Sequence, residues 1–252
     1  MEVAMRAHIA FISATAVVAS LGFSHISHAQ ENVRANYNEP TRGFYIEHGT
    51  VADNREASIE LHSGSDNIDA GGGVRLGLPG AELILNSGLN SYDENQVMLK
   101  YAMPDLTLDE SGAHPFRWSV IGAFSHTDLE NEQGQTVLDQ SNLKLGAAFT
   151  VDADAGTFTI APRFVYADGD QKDDNFLELD VGAYVGIIDT QAGLFSAGVE
   201  ALMTTADNTD NTYTLGVRWA YDQKLNVDIV PVVYSNDELF GVPGLVRVNY
   251  QL

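Results

Sequence analysis

The run Leu177-Glu178-Leu179-Asp180-Val181-Gly182-Ala183-Tyr184-Val185-Gly186-Ile187 decides how the rest of the chain is read. Side chains of an extended strand point alternately to the two faces of its sheet. Leu177, Leu179, Val181, Ala183, Val185 and Ile187 therefore share one face, and Glu178, Asp180, Gly182, Tyr184 and Gly186 the other. A segment of this kind separates two different solvents.

The alternation recurs in both directions. Upstream, Phe158, Ile160, Pro162, Phe164 and Tyr166 oppose Thr157, Thr159, Ala161, Arg163 and Val165. Leu143, Leu145, Ala147, Phe149 and Val151 oppose Asn142, Lys144, Gly146, Ala148 and Thr150, and Phe116, Trp118, Val120, Gly122 and Phe124 oppose Arg117, Ser119, Ile121 and Ala123. Downstream, similar runs start at Phe195, Tyr213, Leu225 and Val246, and weaker ones lie at 58–62, 74–78, 81–87 and 97–103. The total is about twelve strands (roughly 10 to 14), most near the length of a tilted membrane-spanning strand. No amphipathic helix, solenoid repeat or linker interrupts them, so 55–252 reads as one all-β domain.

The connections alternate too. Longer acidic loops (63–70, 88–94, 126–140, 167–174, 205–210, 236–242) alternate with short turns such as Asp222-Gln223 and 189–191. Pro104 to His114 breaks the rule, being long on the short-turn side. At the N-terminus, Arg6 and His8 precede an apolar run from Ile9 to Phe23, and Ser27-His28-Ala29 supplies small residues at a cleavage site. Residues 1–29 are expected to be a cleaved secretory signal, with initiation at Met1 or at the better-placed Met5. Residues 30–54, which contain Phe44-Tyr45-Ile46, are left over as a plug, an extra strand or a tail.

Acidic residues number 35 against 13 basic ones, for a net charge of -22. Nucleic acid is thereby excluded as a partner, because phosphate binding needs clustered Lys and Arg. The absence of Cys removes disulfides, thiolate metal sites and a Cys nucleophile.

Three features separate a membrane barrel from a soluble sandwich. Aromatic residues fall near strand ends: Phe116, Phe158, Trp219, Tyr221, Tyr250 and Tyr101 at one rim, Phe124, Tyr166 and Tyr213 at the other. The basic residues within strands all fall on the face opposite the apolar one, Arg75, Lys100, Arg117, Lys144, Arg163, Arg218 and Arg247, and they share it with Glu60, Glu82, Glu178, Asp180, Glu200 and Asp228. A lipid-facing Arg or Lys at the midplane costs roughly 2 to 4 kcal/mol, so a bilayer enforces this segregation. Finally, the chain ends on a strand, with Val246, Val248, Tyr250 and Leu252 on one face.

In its leader, strand pattern and last strand the chain resembles bacterial outer-membrane β-barrel proteins, departing from them by ending in Leu252 rather than Phe. The resemblance implies a single antiparallel up-and-down barrel in the bacterial outer membrane. It also implies contact with outer-membrane lipid and lipopolysaccharide, and recognition of the last strand by the barrel-assembly machinery.

Motifs for chemistry are sparse. Gly71-Gly72-Gly73-Val74-Arg75-Leu76-Gly77 has a phosphate-loop look, but no helix follows, and glycines in a barrel strand relieve crowding. Asp168, Asp170, Asp173 and Asp174 suggest a calcium loop, but Lys172 occupies a ligand position and no Gly follows it. Ser125, His126 and Asp128 form the compact nucleophile-base-acid grouping, yet neighbours on a strand face opposite ways. No catalytic, metal or cofactor site is expected. The expected function is a narrow passive channel for ions or small polar solutes, lined by Arg75, Glu82, Lys100, Arg117, Lys144, Arg163, Glu178, Asp180, Glu200, Arg218, Asp228 and Arg247. The alternatives are a non-conducting structural or surface-binding barrel acting through its acidic loops, and a lipid-modifying barrel enzyme.

Overall fold

Each alternating run forms a strand in the computed structural model, which describes residues 41–64, 70–88, 92–107, 115–130, 136–153, 156–169, 174–206, 211–222, 224–235, 238–240 and 244–252. In chain order the strands are β1 (Ala57–Gly64), β2 (Gly71–Leu78), β3 (Ala81–Gly88), β4 (Tyr92–Ala102), β5 (Leu106–Thr107), β6 (Pro115–Glu130), β7 (Thr136–Ala153) and β8 (Gly156–Gly169). They continue as β9 (Asp174–Thr190), β10 (Gly193–Thr204), β11 (Thr212–Ala220), β12 (Leu225–Ser235), β13 (Glu238–Phe240) and β14 (Leu245–Gln251). Residues 1–40, with the expected signal segment, and most of the loop tips, including residues 170–173 of the calcium-like run, lie outside the described residues.

Pairing is antiparallel throughout and follows chain order. The last strand, β14, pairs with β12 on one side and with β1 on the other, in the register Ile59↔Tyr250 and Leu61↔Val248. This joint closes a 12-strand ring in which, among the described residues, every wall strand is paired on both sides. The short β5 and β13 are additions, on β6 and β12 respectively, and β5 takes up the start of the irregular connection after Pro104. Local chemistry makes the tight turns. Between β2 and β3, Pro79 presets its own φ and Gly80 takes a φ of 70°, the left-handed position a type II turn needs.

The two faces carry opposite chemistry. On the outside Leu145 is 54% and Leu177 56% exposed, whereas on the inside Lys100 and Glu82 are 0% exposed. A soluble protein would invert this. An exterior band of Leu, Val, Ile and Phe with buried interior charge suits a ring surrounded by hydrocarbon. At the short-turn rim, Trp118 stacks on Phe149, Trp219 stacks on Phe195, and Tyr101, Tyr221 and Tyr250 stand exposed. Both indoles donate to turn carbonyls, Trp118 to Pro104 O at 3.1 Å and Trp219 to Ala192 O at 2.6 Å, as an interfacial ring with one wet end does. Phe124 and Tyr166 stand exposed toward the other rim. The chain has the architecture of the bacterial outer-membrane β-barrel class.

β6, β7 and β9 are 16, 18 and 17 residues long, well beyond the roughly 9 to 11 residues a membrane crossing needs. β1, β2 and β3 have 8 each, so one side of the wall stands taller than the other.

Candidate functional site: an occupied lumen

Thr41–Thr50 lies inside the ring. Its backbone doubles back on itself: Gly43 N donates to Ile46 O at 2.7 Å and His48 N to Thr41 O at 3.0 Å, with Arg42 and Glu47 bridged across the stem. This small hairpin crosses the lumen, and two of its apolar side chains enter opposite walls. Ile46 packs among Ile84, Met98, Ile121, Ala123, Ala148 and Ala161, all buried on β3, β4, β6, β7 and β8. Phe44 packs with Tyr184, Val230 and Leu245, its ring edge-on to Tyr184 at 5.8 Å. Space for the Phe44 and Tyr184 rings comes from Gly198 on β10 and Gly216 directly opposite it on β11; a Cβ at Gly216 would run into Phe44, and one at Gly198 into Tyr184 and then Phe44.

Charge holds the stem. Glu47 pairs with Arg75 and, at 3.0 Å, with Lys100, while both cations also reach Glu82 at 3.0 and 3.3 Å. Thr41 donates its hydroxyl to Glu82 at 2.8 Å and accepts Lys100 Nζ on its carbonyl at 2.9 Å. At the adjoining strands β1 and β14, Arg42 pairs with Glu60 at 2.8 Å, and Glu60 is shared with Arg247 at 3.1 Å.

The tip is gripped through its backbone. Glu200 Oε1 accepts the N–H of Phe44 at 2.6 Å and Oε2 that of Tyr45 at 2.9 Å, and the Tyr184 hydroxyl donates to the same carboxylate. Arg218 donates to the carbonyls of Arg42 and Gly43 at 3.2 and 3.0 Å, and Arg247 donates to that of Phe44. Carboxylate and guanidinium contacts are charge-assisted, which makes them stronger than neutral amide bonds.

These surroundings shift the hairpin's own titrations. Burial, with the Arg218 and Lys100 charges beside it, pushes His48 down from 6.5 to about 3. Burial and Arg247 pull Arg42 down to about 10, still charged at neutral pH. For Glu47 burial acts upward, but Arg75, Lys100 and Arg42 outweigh it and hold the carboxyl well below its usual range.

Of the twelve residues expected on the lumen, Arg75, Glu82, Lys100, Glu200, Arg218 and Arg247 touch the hairpin, and Asp228 backs Arg218 and Arg247 at 2.6 and 3.5 Å. Lys144, Arg163, Glu178 and Asp180 form a separate cluster on β7, β8 and β9, with Glu178 3.0 Å from Lys144 and 3.2 Å from Arg163. Arg117 pairs with Asp152 at 3.0 Å and borders a cleft of about 250 Å³ that also involves His48, Thr50, Thr150 and Thr157.

Reading the strands alone left this segment open between plug, extra strand and tail, and singled out none of Tyr184, Gly198 and Gly216 as its contacts. The usable signal was Arg42 and Glu47 flanking Gly43-Phe44-Tyr45-Ile46 ahead of the first strand.

Ser125 is buried on the inner face, while His126 hydrogen-bonds Ser141 at 3.0 Å and Asp128 at 3.1 Å on the partly exposed outer face. The two are not brought together. Gly71–Gly77 lies within β2, Arg75 on its inner face. The chain matches no protein-family model and no curated protein. Among solved structures, the NanC porin in its rhombohedral crystal form aligns with 77% of this chain and 97% of its own at 14% identity, with a TM-score of 0.45.

Proposed function

We propose that the protein is an outer-membrane channel for ions or small polar solutes that rests closed, with the hairpin Thr41–Thr50 as its gate. One observation supports this reading above the others: the lumen is filled by a segment that is not part of the wall. Eight strands make a ring that side chains alone can fill, and 12 make a wider one. Here the extra width holds a separate hairpin whose grip is largely ionic and hydrogen-bonded, and contacts of that kind exchange readily for water. The excess of acidic over basic residues favours cations near the protein.

The rival is a non-conducting structural barrel, favoured by how fully Phe44 and Ile46 are buried. Planar-bilayer recording separates the two. The full-length protein is expected to open rarely, and the Arg42→Ala/Glu47→Ala variant, which lacks the stem's ion pairs, to open often. If both fold, judged by heat-modifiable migration on gels, and neither conducts, the channel reading gives way to the structural one.

A further inference from the structure

The wall charges around the hairpin are already paired with one another. Arg218 and Arg247 meet Asp228, Arg247 also meets Glu60, and Arg75 and Lys100 both meet Glu82, all within 3.5 Å. If the hairpin leaves, these groups keep partners. Glu200 does not: among the described residues its contacts are the Phe44 and Tyr45 N–H groups and the Tyr184 hydroxyl, with no ion pair to Lys or Arg. Three donors converge on its two oxygens. Two of the three depart with the gate.

We infer that Glu200 is the cation-selecting residue of the open lumen, and that in the closed state the two hairpin N–H groups stand in for the permeating cation. The inference rests on the channel reading above. Backbone N–H groups carry partial positive charge, and adjacent ones aimed at a single carboxylate mimic a cation. Once they withdraw, water and a monovalent cation are the species left to satisfy Glu200, with the Tyr184 hydroxyl fixing the carboxylate's orientation. Gly198 and Gly216 beside it leave the space Phe44 had filled, so a hydrated ion has room to approach. The opposite wall responds in the other sense. Losing Glu47 leaves Arg75 and Lys100 sharing Glu82, so an excess positive charge faces Glu200 across the lumen. That charge repels cations toward the Glu200 side.

The test uses full-length Arg42→Ala/Glu47→Ala as the conducting background and adds Glu200→Gln or Glu200→Asp. Reversal potentials are recorded in a potassium chloride gradient. In the background, potassium is expected to be preferred over chloride. Glu200→Gln should reduce that preference roughly fivefold, the effect of one unit charge a few ångströms from an ion in water, and Glu200→Asp should retain it. Conduction with an unchanged reversal potential in Glu200→Gln overturns this assignment and leaves the channel reading standing. Silence from every folded variant overturns the channel reading, and the assignment falls with it.

Discussion

Phe44 donates its backbone N–H to the Glu200 carboxylate at 2.6 Å, joining residues 156 positions apart in the sequence. The contact ties the segment ahead of the first strand to the middle of β10, on the inner face of a ring it does not help to build. It means that lumen occupancy and wall stability are separable quantities, which mutations can move one at a time.

Phe44→Ala should loosen the gate without opening the wall. Removing the ring leaves a void between Tyr184, Val230 and Leu245, a change that in packed interiors costs about 3 to 5 kcal/mol. Because the chain has no Cys, a single Cys at Tyr45 reports seating through its rate of thiol labelling. Labelling should accelerate at least a hundredfold in the Phe44→Ala background, while the barrel keeps its heat-modifiable migration.

Acid should unseat the hairpin. The seated His48 titrates near 3 and a released one near 6.5, so between these values the released form binds the extra proton. Seating is therefore independent of this group above pH 6.5 and weakens as pH falls below it, by up to about 1.4 kcal/mol per unit. Glu47 adds to the loss lower down. Its depressed value gives stability that is present above its ordinary 4.5 and drains away as the pH falls below that. Measured relative to a free thiol at the same pH, whose thiolate fraction falls as acid is added, the labelling rate should rise between pH 6.5 and 5, and His48→Gln should flatten that rise while sparing the part below 4.5. A rise unaltered by His48→Gln rules out His48 as its source.

Lys100 and Glu47 should couple. Lys100 is wholly buried, so Lys100→Met leaves Glu47 and Glu82 sharing Arg75, and Glu47→Gln in turn leaves two cations on Glu82; breaking a buried pair from one side costs about 3 to 5 kcal/mol. Together the two changes should cost less than the sum of the singles, by at least about 1 kcal/mol. Urea unfolding from lipid vesicles measures all four corners of the cycle, and strict additivity counts against a shared network.

Leu145→Arg should impair insertion. The side chain projects from the outer face of β7, where a guanidinium near the midplane costs roughly 2 to 4 kcal/mol. Folding yield into vesicles should drop accordingly. Leu145→Met, an apolar change at the same exposed position, should leave that yield near its original level.

Much of the barrel could be read in advance because a period of two is a local signal. Leu145 outward and Lys144 inward follow from neighbouring positions alone, and so does the sorting of Arg163, Glu178 and Asp180 to one face. Closure through Ile59↔Tyr250 is likewise what antiparallel threading of an even number of strands requires. The hairpin was not legible in this way. Its backbone bonds are satisfied by Glu200, Arg218 and Arg247 from remote strands, so no periodicity marks it. Gly198 and Gly216 read as ordinary strand glycines until Phe44 is seen between them. Which inward charge meets which also depends on strand tilt and register, and a single strand's pattern contains neither.

The gate's tether is short and fixed at its far end. Arg55 N donates to Gly77 O at 3.0 Å and Gly77 N to Glu56 O at 2.8 Å, which pins the chain to β2 just before β1 begins. The stretch Val51–Glu56 reaches at most about 20 Å when fully drawn out. A dislodged hairpin thus stays at millimolar effective concentration beside its own socket. Under the channel reading proposed above, recapture would be an intramolecular event whose rate ignores protein abundance, and each opening would be self-terminating, a brief leak rather than a standing breach.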